Sequence, residues 1–129
     1  MSLFYKVVNE DLTSCCRNPN FPLKYKVRYK IGEFVKPNID GTRLFVFKNL
    51  DDVNEFLSNV FLEKEFWSVY ECEVTNPKEE SAIAYPAEIE SFWYYRNAGK
   101  LYGELDNSMP APQGTYSCDS VKLIKRIEV

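Results

Sequence analysis

The chain has 129 residues, of which 45% are hydrophobic and 16% aromatic, and its formal net charge is −3 at pH 7. This size and composition exclude a disordered chain and predict one domain, residues 1–129, with a core dominated by large rings. The sequence contains no histidine, which excludes Ser-His-Asp and Cys-His nucleophiles and His-containing metal sites. We therefore predict no catalytic residue, no metal site and no cofactor.

The first third of the chain predicts three strands. Residues 3–8, LFYKVV, are rich in β-branched and aromatic side chains and precede a long polar loop at 9–22. Residues 24–31 alternate strictly between apolar and basic side chains, which is the pattern of a half-buried strand. Residues 43–47, RLFVF, predict a third and more fully buried strand.

The rest of the chain predicts one clear helix and two further strands. A helix is expected over residues 50–62, where apolar side chains recur at helical spacing and two aspartates occupy the first turn. Strands are expected at 66–74 and 115–127, with a surface loop at 107–114 before the last strand.

This order of elements predicts an α+β fold. A mainly antiparallel, twisted sheet or half-open barrel would pack on the helix at 50–62. Residues 81–107 fit either a short helix or a bent strand, so a second short helix remains open. Alternation of polarity at single-residue spacing argues against a parallel, doubly wound sheet.

Charge is divided unevenly along the chain, and one strand concentrates the positive part. Residues 1–48 carry nine Lys or Arg against four Asp or Glu, whereas residues 49–107 carry four against thirteen. A basic stripe is expected on one face of the second strand: Lys24, Lys26, Arg28 and Lys30. This stripe suits phosphates or an acidic partner, or it is a solvated face whose charge Glu71 and Glu73 offset.

Five consecutive large side chains form a second candidate surface. They are Phe92, Trp93, Tyr94, Tyr95 and Arg96. No single face of a helix or strand can bury all five, so some rings are expected to point outward. Aromatic residues and Arg dominate the energetics of interfaces and stack on bases or sugars. A run that spans two layers of core is an equal alternative.

The sequence predicts a protein without membrane association that stays in a reducing compartment. No apolar run reaches the length of a membrane span, and the N-terminus lacks a signal-peptide pattern. The cysteines Cys15, Cys16, Cys72 and Cys118 lack the spacing of a disulfide framework or a zinc site. We therefore expect reduced thiols.

Several framework segments together resemble a group of viral proteins. The segments are Tyr5–Val8 (YKVV), Tyr29–Pro37 (YKIGEFVKP), Leu44–Phe47 (LFVF), Val69–Val74 (VYECEV), Gly114–Tyr116 (GTY) and Asp119–Ile127 (DSVKLIKRI). With these segments the chain resembles small orphan proteins of large DNA viruses of the Marseillevirus type, which infect amoebae. The resemblance implies a virus-encoded protein in the host cytoplasm or in the virus particle, and it assigns no functional residue.

These features lead to three hypotheses of function. The first is a non-enzymatic interaction module, a homodimer that contacts viral or host proteins through the aromatic run and the basic stripe. The second is a nucleotide- or NAD-handling enzyme with a pocket between the sheet and loop 9–22, suggested by a fold-level likeness to phage proteins of ADP-ribosyltransferase shape. The third is nucleic-acid binding through the basic stripe, which the negative net charge disfavours.

Overall fold

Strand pairing organises most of the chain. The computed structural model describes residues 3–14, 23–58, 67–84, 89–99 and 108–128. The strands are β1 (Phe4–Asn9), β2 (Phe34–Val35), β3 (Leu44–Phe47), β4 (Trp67–Thr75), β5 (Lys78–Glu79), β6 (Ala82–Ala84), β7 (Ser108–Pro110), β8 (Thr115–Cys118) and β9 (Ser120–Ile127). The helices are α1 (Leu50–Ser58) and α2 (Ile89–Asn97). The predicted α+β class is confirmed.

Seven strands form one antiparallel sheet in the order β2-β9-β4-β1-β3-β8-β5, while β6 and β7 form a separate pair. A single residue, Asp119, separates β8 from β9, although three strands lie between them in the sheet. The two are linked through a bent ribbon, in which Thr75 pairs with Ser120 and Lys78 pairs with Ser117. The sheet therefore twists and curls around one inner face without closing, because β2 and β5 remain as its edges.

The inner face of the sheet carries the larger part of the core. Its buried members from the strands are Phe4, Val8, Leu44, Val46, Tyr70, Cys72, Cys118, Val121 and Leu123. Val27 and Tyr29, which lie between β1 and β2 in the chain, complete this core. Alternation along β1, β3 and β4 puts every second side chain of each strand on this face. The sequence pattern therefore determines which side of these strands is enclosed.

The outer face is covered by the two helices. Val53 of α1 packs with Val7, Trp67 and Val69, and Phe92 and Trp93 of α2 pack with Ala82. The predicted helix at 50–62 is confirmed over Leu50–Ser58, and its remaining residues lie outside the described part of the chain. The short helix that was open within 81–107 is α2.

The prediction of a regular strand at 24–31 is wrong. Leu23–Tyr25 form a 3-10 turn, and the segment that follows makes only isolated bridges, Arg28 with Thr13 and Ile31 with Leu123. The two partners belong to different parts of the fold, so the segment crosses the inner face and continuous pairing with one strand cannot form. Its alternation survives in part, since Val27 and Tyr29 are both buried.

Two expectations near the C-terminus are also corrected. The single strand at 115–127 is two strands, β8 and β9, because the chain bends at Asp119 to pass from one half of the sheet to the other. The predicted loop at 107–114 contains β7. This strand pairs with β6, and Pro110 lies opposite Ala82. Proline is tolerated there because the pairing is at the end of an isolated two-stranded sheet.

We predict that Gly114→Ala destabilises the fold much more than the matched variant Gly32→Ala. Both glycines have a positive φ, 81° and 84°, which costs an alanine about 1 kcal/mol. A Cβ at Gly114 would also lie 2.7 Å from Cγ of the buried Asp52, whereas at Gly32 it would meet open space. The overlap should add about 2 kcal/mol. Equal losses of unfolding free energy in urea would contradict this account.

Candidate ligand-binding site

The sheet divides at the edge of β1, and this division creates a cavity. Along one side β1 pairs with β4 from Phe4 to Asn9. Along the other side it pairs with β3 only at Tyr5 and Phe47, and further on Val8 forms a bridge with Ser14 instead. A partly enclosed cavity of about 400 Å³ lies where β3 and the residue 13–14 segment separate.

One part of the cavity wall is apolar and strongly aromatic. Its side chains come from β3, α1, β6 and α2: Phe45, Phe47, Phe56, Ile83, Ile89 and Trp93. Phe45 stacks on Trp93 with 5.5 Å between the ring centres, and Phe47 lies 5.2 Å from Phe56. These ring contacts hold the wall in a fixed shape, which suits a flat or extended apolar molecule.

The opposite part of the wall carries polar groups, of which Lys6 and Tyr29 stand out. The Lys6 side chain is half-buried, its Nζ donates to the Phe45 carbonyl oxygen at 2.5 Å, and it lies 5.2 Å from the centre of the Tyr29 ring. Tyr29 is only 2% exposed, and its hydroxyl has no hydrogen-bond partner among the described residues. A buried, unpaired hydroxyl is costly and therefore informative.

Arg43 also lines the cavity, but its guanidinium is already committed to the bend in the sheet. Nη1 contacts the Asp119 carboxylate at 2.6 Å, Nε donates to Ser117 Oγ at 2.8 Å, and Nη2 donates to the carbonyl oxygens of Asn76 and Ser117. Asn76 and Asp119 lie at the bend of the two ribbon arms. Arg43 therefore fixes the bend and has its charge balanced there.

A buried carboxylate connects this bend to α2. Glu80, whose side chain is 3% exposed, accepts hydrogen bonds from Ser117 Oγ and, at 2.8 Å, from Nε of Arg96. Its backbone N–H donates to the Thr115 carbonyl oxygen at 3.1 Å. The pair at Arg96 holds α2 against the sheet, so the position of Trp93 in the cavity wall depends on this network.

The aromatic run divides between core and surface. Phe92 and Trp93 are 0% and 4% exposed, so both rings belong to the core, and Arg96 is occupied by Glu80. Tyr94 is 72% exposed, and the side chain of Tyr95 lies outside the described part. The expectation that some rings point outward holds for Tyr94, while Phe92 and Trp93 are not accessible to a partner.

Two residues of the predicted basic stripe form ion pairs with nearby acidic groups, and a third contacts a backbone carbonyl. Lys24 pairs with Glu90 at 3.9 Å and Lys30 with Glu33 at 3.6 Å, and Arg28 donates to the Asp11 carbonyl oxygen at 2.9 Å. The hydrogen bond from Thr13, helped by the nearby charges of Lys26 and Arg28, lowers the pKa of the Asp11 carboxyl.

The carboxylates that the sequence suggested as partners of the stripe lie elsewhere. Glu73 pairs with Lys122 at 3.0 Å and Glu71 with Lys125 at 4.0 Å, both on β9. Because the segment that carries the stripe crosses the inner face instead of pairing beside β4, these cross-strand contacts go to β9.

Two of the cysteines are free and buried on the inner face. Burial raises the pKa of the Cys72 thiol to about 12 and that of Cys118 to about 11, against a smaller opposite effect of the Lys6 charge. Thiols with such pKa values stay protonated at neutral pH and are poor nucleophiles. Cys15 and Cys16 lie outside the described residues.

Sequence reasoning missed the residues that define the cavity. Lys6 is the one charged residue within the apolar segment LFYKVV, and Tyr29 belongs to the apolar side of the alternation at 24–31. The predicted pocket between the sheet and loop 9–22 has one described member of that loop in the cavity wall, Ser14. A lone charge on a strand that is apolar on both faces was the available signal.

We predict that Glu80→Gln lowers the free energy of unfolding by about 2 kcal/mol, because the partly buried Arg96 then loses its counter-charge. The matched variant Glu79→Gln changes an exposed neighbour on β5 and should stay within about 0.5 kcal/mol of the parent. Chemical denaturation measures both. A similar loss in the two variants would show that the buried network does not hold α2.

Comparisons with known proteins found no family model, no curated protein and no solved structure that matches this chain. The resemblance to viral proteins therefore stays a prediction. Among the residues that the structure describes, no helix combines the length and apolar character needed to cross a membrane.

Proposed function

We propose that this chain is a binding protein for a small, largely apolar molecule held in the cavity between β1 and β3. The observation that carries the proposal is a cavity of about 400 Å³ whose wall combines stacked rings with a buried hydroxyl that has no partner among the described residues. Ligand sites in proteins have this composition, an apolar pocket with a few polar groups that orient the ligand.

The position of the cavity within the fold supports a built site. It lies where two strands separate, and the surrounding elements are held by the β1–β4 ladder and by the network that links Arg43, Ser117, Glu80 and Arg96. Side chains around a void left by imperfect packing move into it and partly fill it. The walls of this cavity are held in place by their own contacts, so the cavity stays open.

Binding is expected for N-phenyl-1-naphthylamine, a neutral apolar dye whose fluorescence rises out of water. The dye should saturate at one molecule per chain. The variant Ile83→Trp, which places a larger side chain at the cavity wall, should weaken binding at least about tenfold, equivalent to about 1.4 kcal/mol. The control Ile124→Trp makes the same change at an exposed position and should leave binding unchanged.

Two results would contradict this proposal. One is a wild-type chain that does not bind the dye, and the other is binding that Ile83→Trp and Ile124→Trp affect equally. Circular dichroism of both variants should match the parent, which separates a filled cavity from a lost fold.

A second candidate function is self-association through the sheet edge at β2. Three large apolar side chains are exposed there: Ile31 at 56%, Phe34 at 46% and Ile124 at 36%. They are neighbours, because Phe34 pairs with Lys122 and Ile31 forms a bridge with Leu123. A free strand edge with apolar side chains suits pairing with the same edge of a second copy.

Light scattering over a range of concentrations should then show a dimer that Phe34→Glu dissociates. Tyr94→Glu, at the exposed member of the aromatic run, serves as the matched control and should leave the mass unchanged. The reverse result would move the contact to the aromatic run, and a monomer at every concentration would remove the dimer altogether.

A further inference from the structure

We infer that the ligand of the cavity is a monocarboxylate with an apolar body, bound at its charged end by Lys6 and Tyr29. This inference rests on the proposed function and specifies the chemistry of the molecule that the cavity takes. It follows from the charges of the wall, from the donors of Lys6 and Tyr29 that lack an acceptor among the described residues, and from the apolar part of the wall.

The described part of the cavity wall carries positive charge. Among its described lining residues there is no Asp or Glu, and the cations are Lys6 and Arg43. Arg43 is balanced by Asp119 at 2.6 Å. Within the described ranges Lys6 has no carboxylate at ion-pair distance, so its half-buried charge lacks a counter-ion that a ligand can supply.

Two residues of this wall have hydrogen-bond donors without an acceptor among the described residues. An ammonium group has three N–H donors, and Lys6 uses one on the Phe45 carbonyl oxygen. The Tyr29 hydroxyl, shielded from solvent, has no partner among the residues described. Lys6 Nζ lies 5.2 Å from the centre of the Tyr29 ring, so the two residues are neighbours in the cavity wall. A carboxylate has acceptor lone pairs for both at once.

The number of charges argues for one negative charge on the ligand. A phosphate carries two negative charges, and Lys6 balances only one of them. The second would lie unpaired beside Phe45, Phe47 and Trp93, where burial of a charge is costly. A carboxylate is neutralised by Lys6 alone. The rest of the molecule then lies along the rings, which favour an alkyl chain or an aromatic system.

The test compares three ligands that share one chain and differ in the head group: octanoate, 1-octanol and octylamine. Each is titrated against bound N-phenyl-1-naphthylamine at pH 7.5. Octanoate should displace the dye at a concentration at least about tenfold below that of 1-octanol, and octylamine should be the weakest. Equal displacement by octanoate and 1-octanol would overturn the inference of a charged head group. The proposed function would still stand in that case, because the dye itself binds. Failure of the dye to bind would remove both.

Two variants locate the charged end. Lys6→Met and Tyr29→Phe should each reduce the preference for octanoate toward that for 1-octanol, with displacement by 1-octanol unchanged within about twofold. The controls are Lys48→Met, at a half-buried lysine 4.5 Å from the Phe4 ring, and Tyr70→Phe. Neither residue lines the cavity, so the preference for octanoate should persist. A preference that survives both Lys6→Met and Tyr29→Phe would overturn the inference.

Thermal unfolding without ligand gives an independent readout. The Tyr29 hydroxyl has no hydrogen-bond partner among the described residues, so the Tm of Tyr29→Phe should equal or exceed that of the parent. The same variant should be stabilised less by octanoate. A Tm several degrees below the parent would show that the hydroxyl has a structural partner, and the inference would fail.

Discussion

The contacts of Arg43 at the bend of the sheet are the constraint on which the rest of the fold depends. One guanidinium joins Asp119, Ser117 and Asn76, which lie on the two arms of a ribbon where it changes direction. The Arg43 side chain is 11% exposed, and its hydrogen bonds to Ser117 are the better shielded ones, whereas those to Asp119 and Asn76 face solvent. The bend brings β8 and β9 to different halves of one sheet and so creates an inner face.

The shape of the cavity follows from this bend and from the two segments that share one edge of β1, namely β3 at Tyr5 and the 13–14 segment at Val8. The bend carries β3 and β8 away from β4 and β9, and the 13–14 segment occupies the part of the β1 edge that β3 leaves. The Glu80–Arg96 pair then sets α2 beside β3, and Trp93 stacks on Phe45. The cavity is thus a product of strand topology, and its wall is made rigid by a polar network.

The sequence predicted the parts of this arrangement that local patterns control. The apolar and β-branched content of residues 43–47 and 66–74 predicted the strands β3 and β4, and apolar spacing predicted α1. The bend at Asp119 and the fork at Val8 depend on partners far apart in the chain, such as Arg43 and Asp119, and no local pattern reports such pairs. The same reason explains the error at residues 24–31, whose alternation reflects burial on a crossing segment without a strand partner.

Lys6 and Tyr29 are the positions where the sequence departs from what stability alone would favour. Alternation along β1 places Lys6 on the inner face with Phe4 and Val8, where a methionine or leucine would avoid burying a charge. Phenylalanine at position 29 would fill the same space without a buried hydroxyl that lacks a partner in the described part of the chain. Local rules that favour the fold are most often broken where a molecule is bound. Two such departures in the wall of one cavity are better explained by a ligand than by packing.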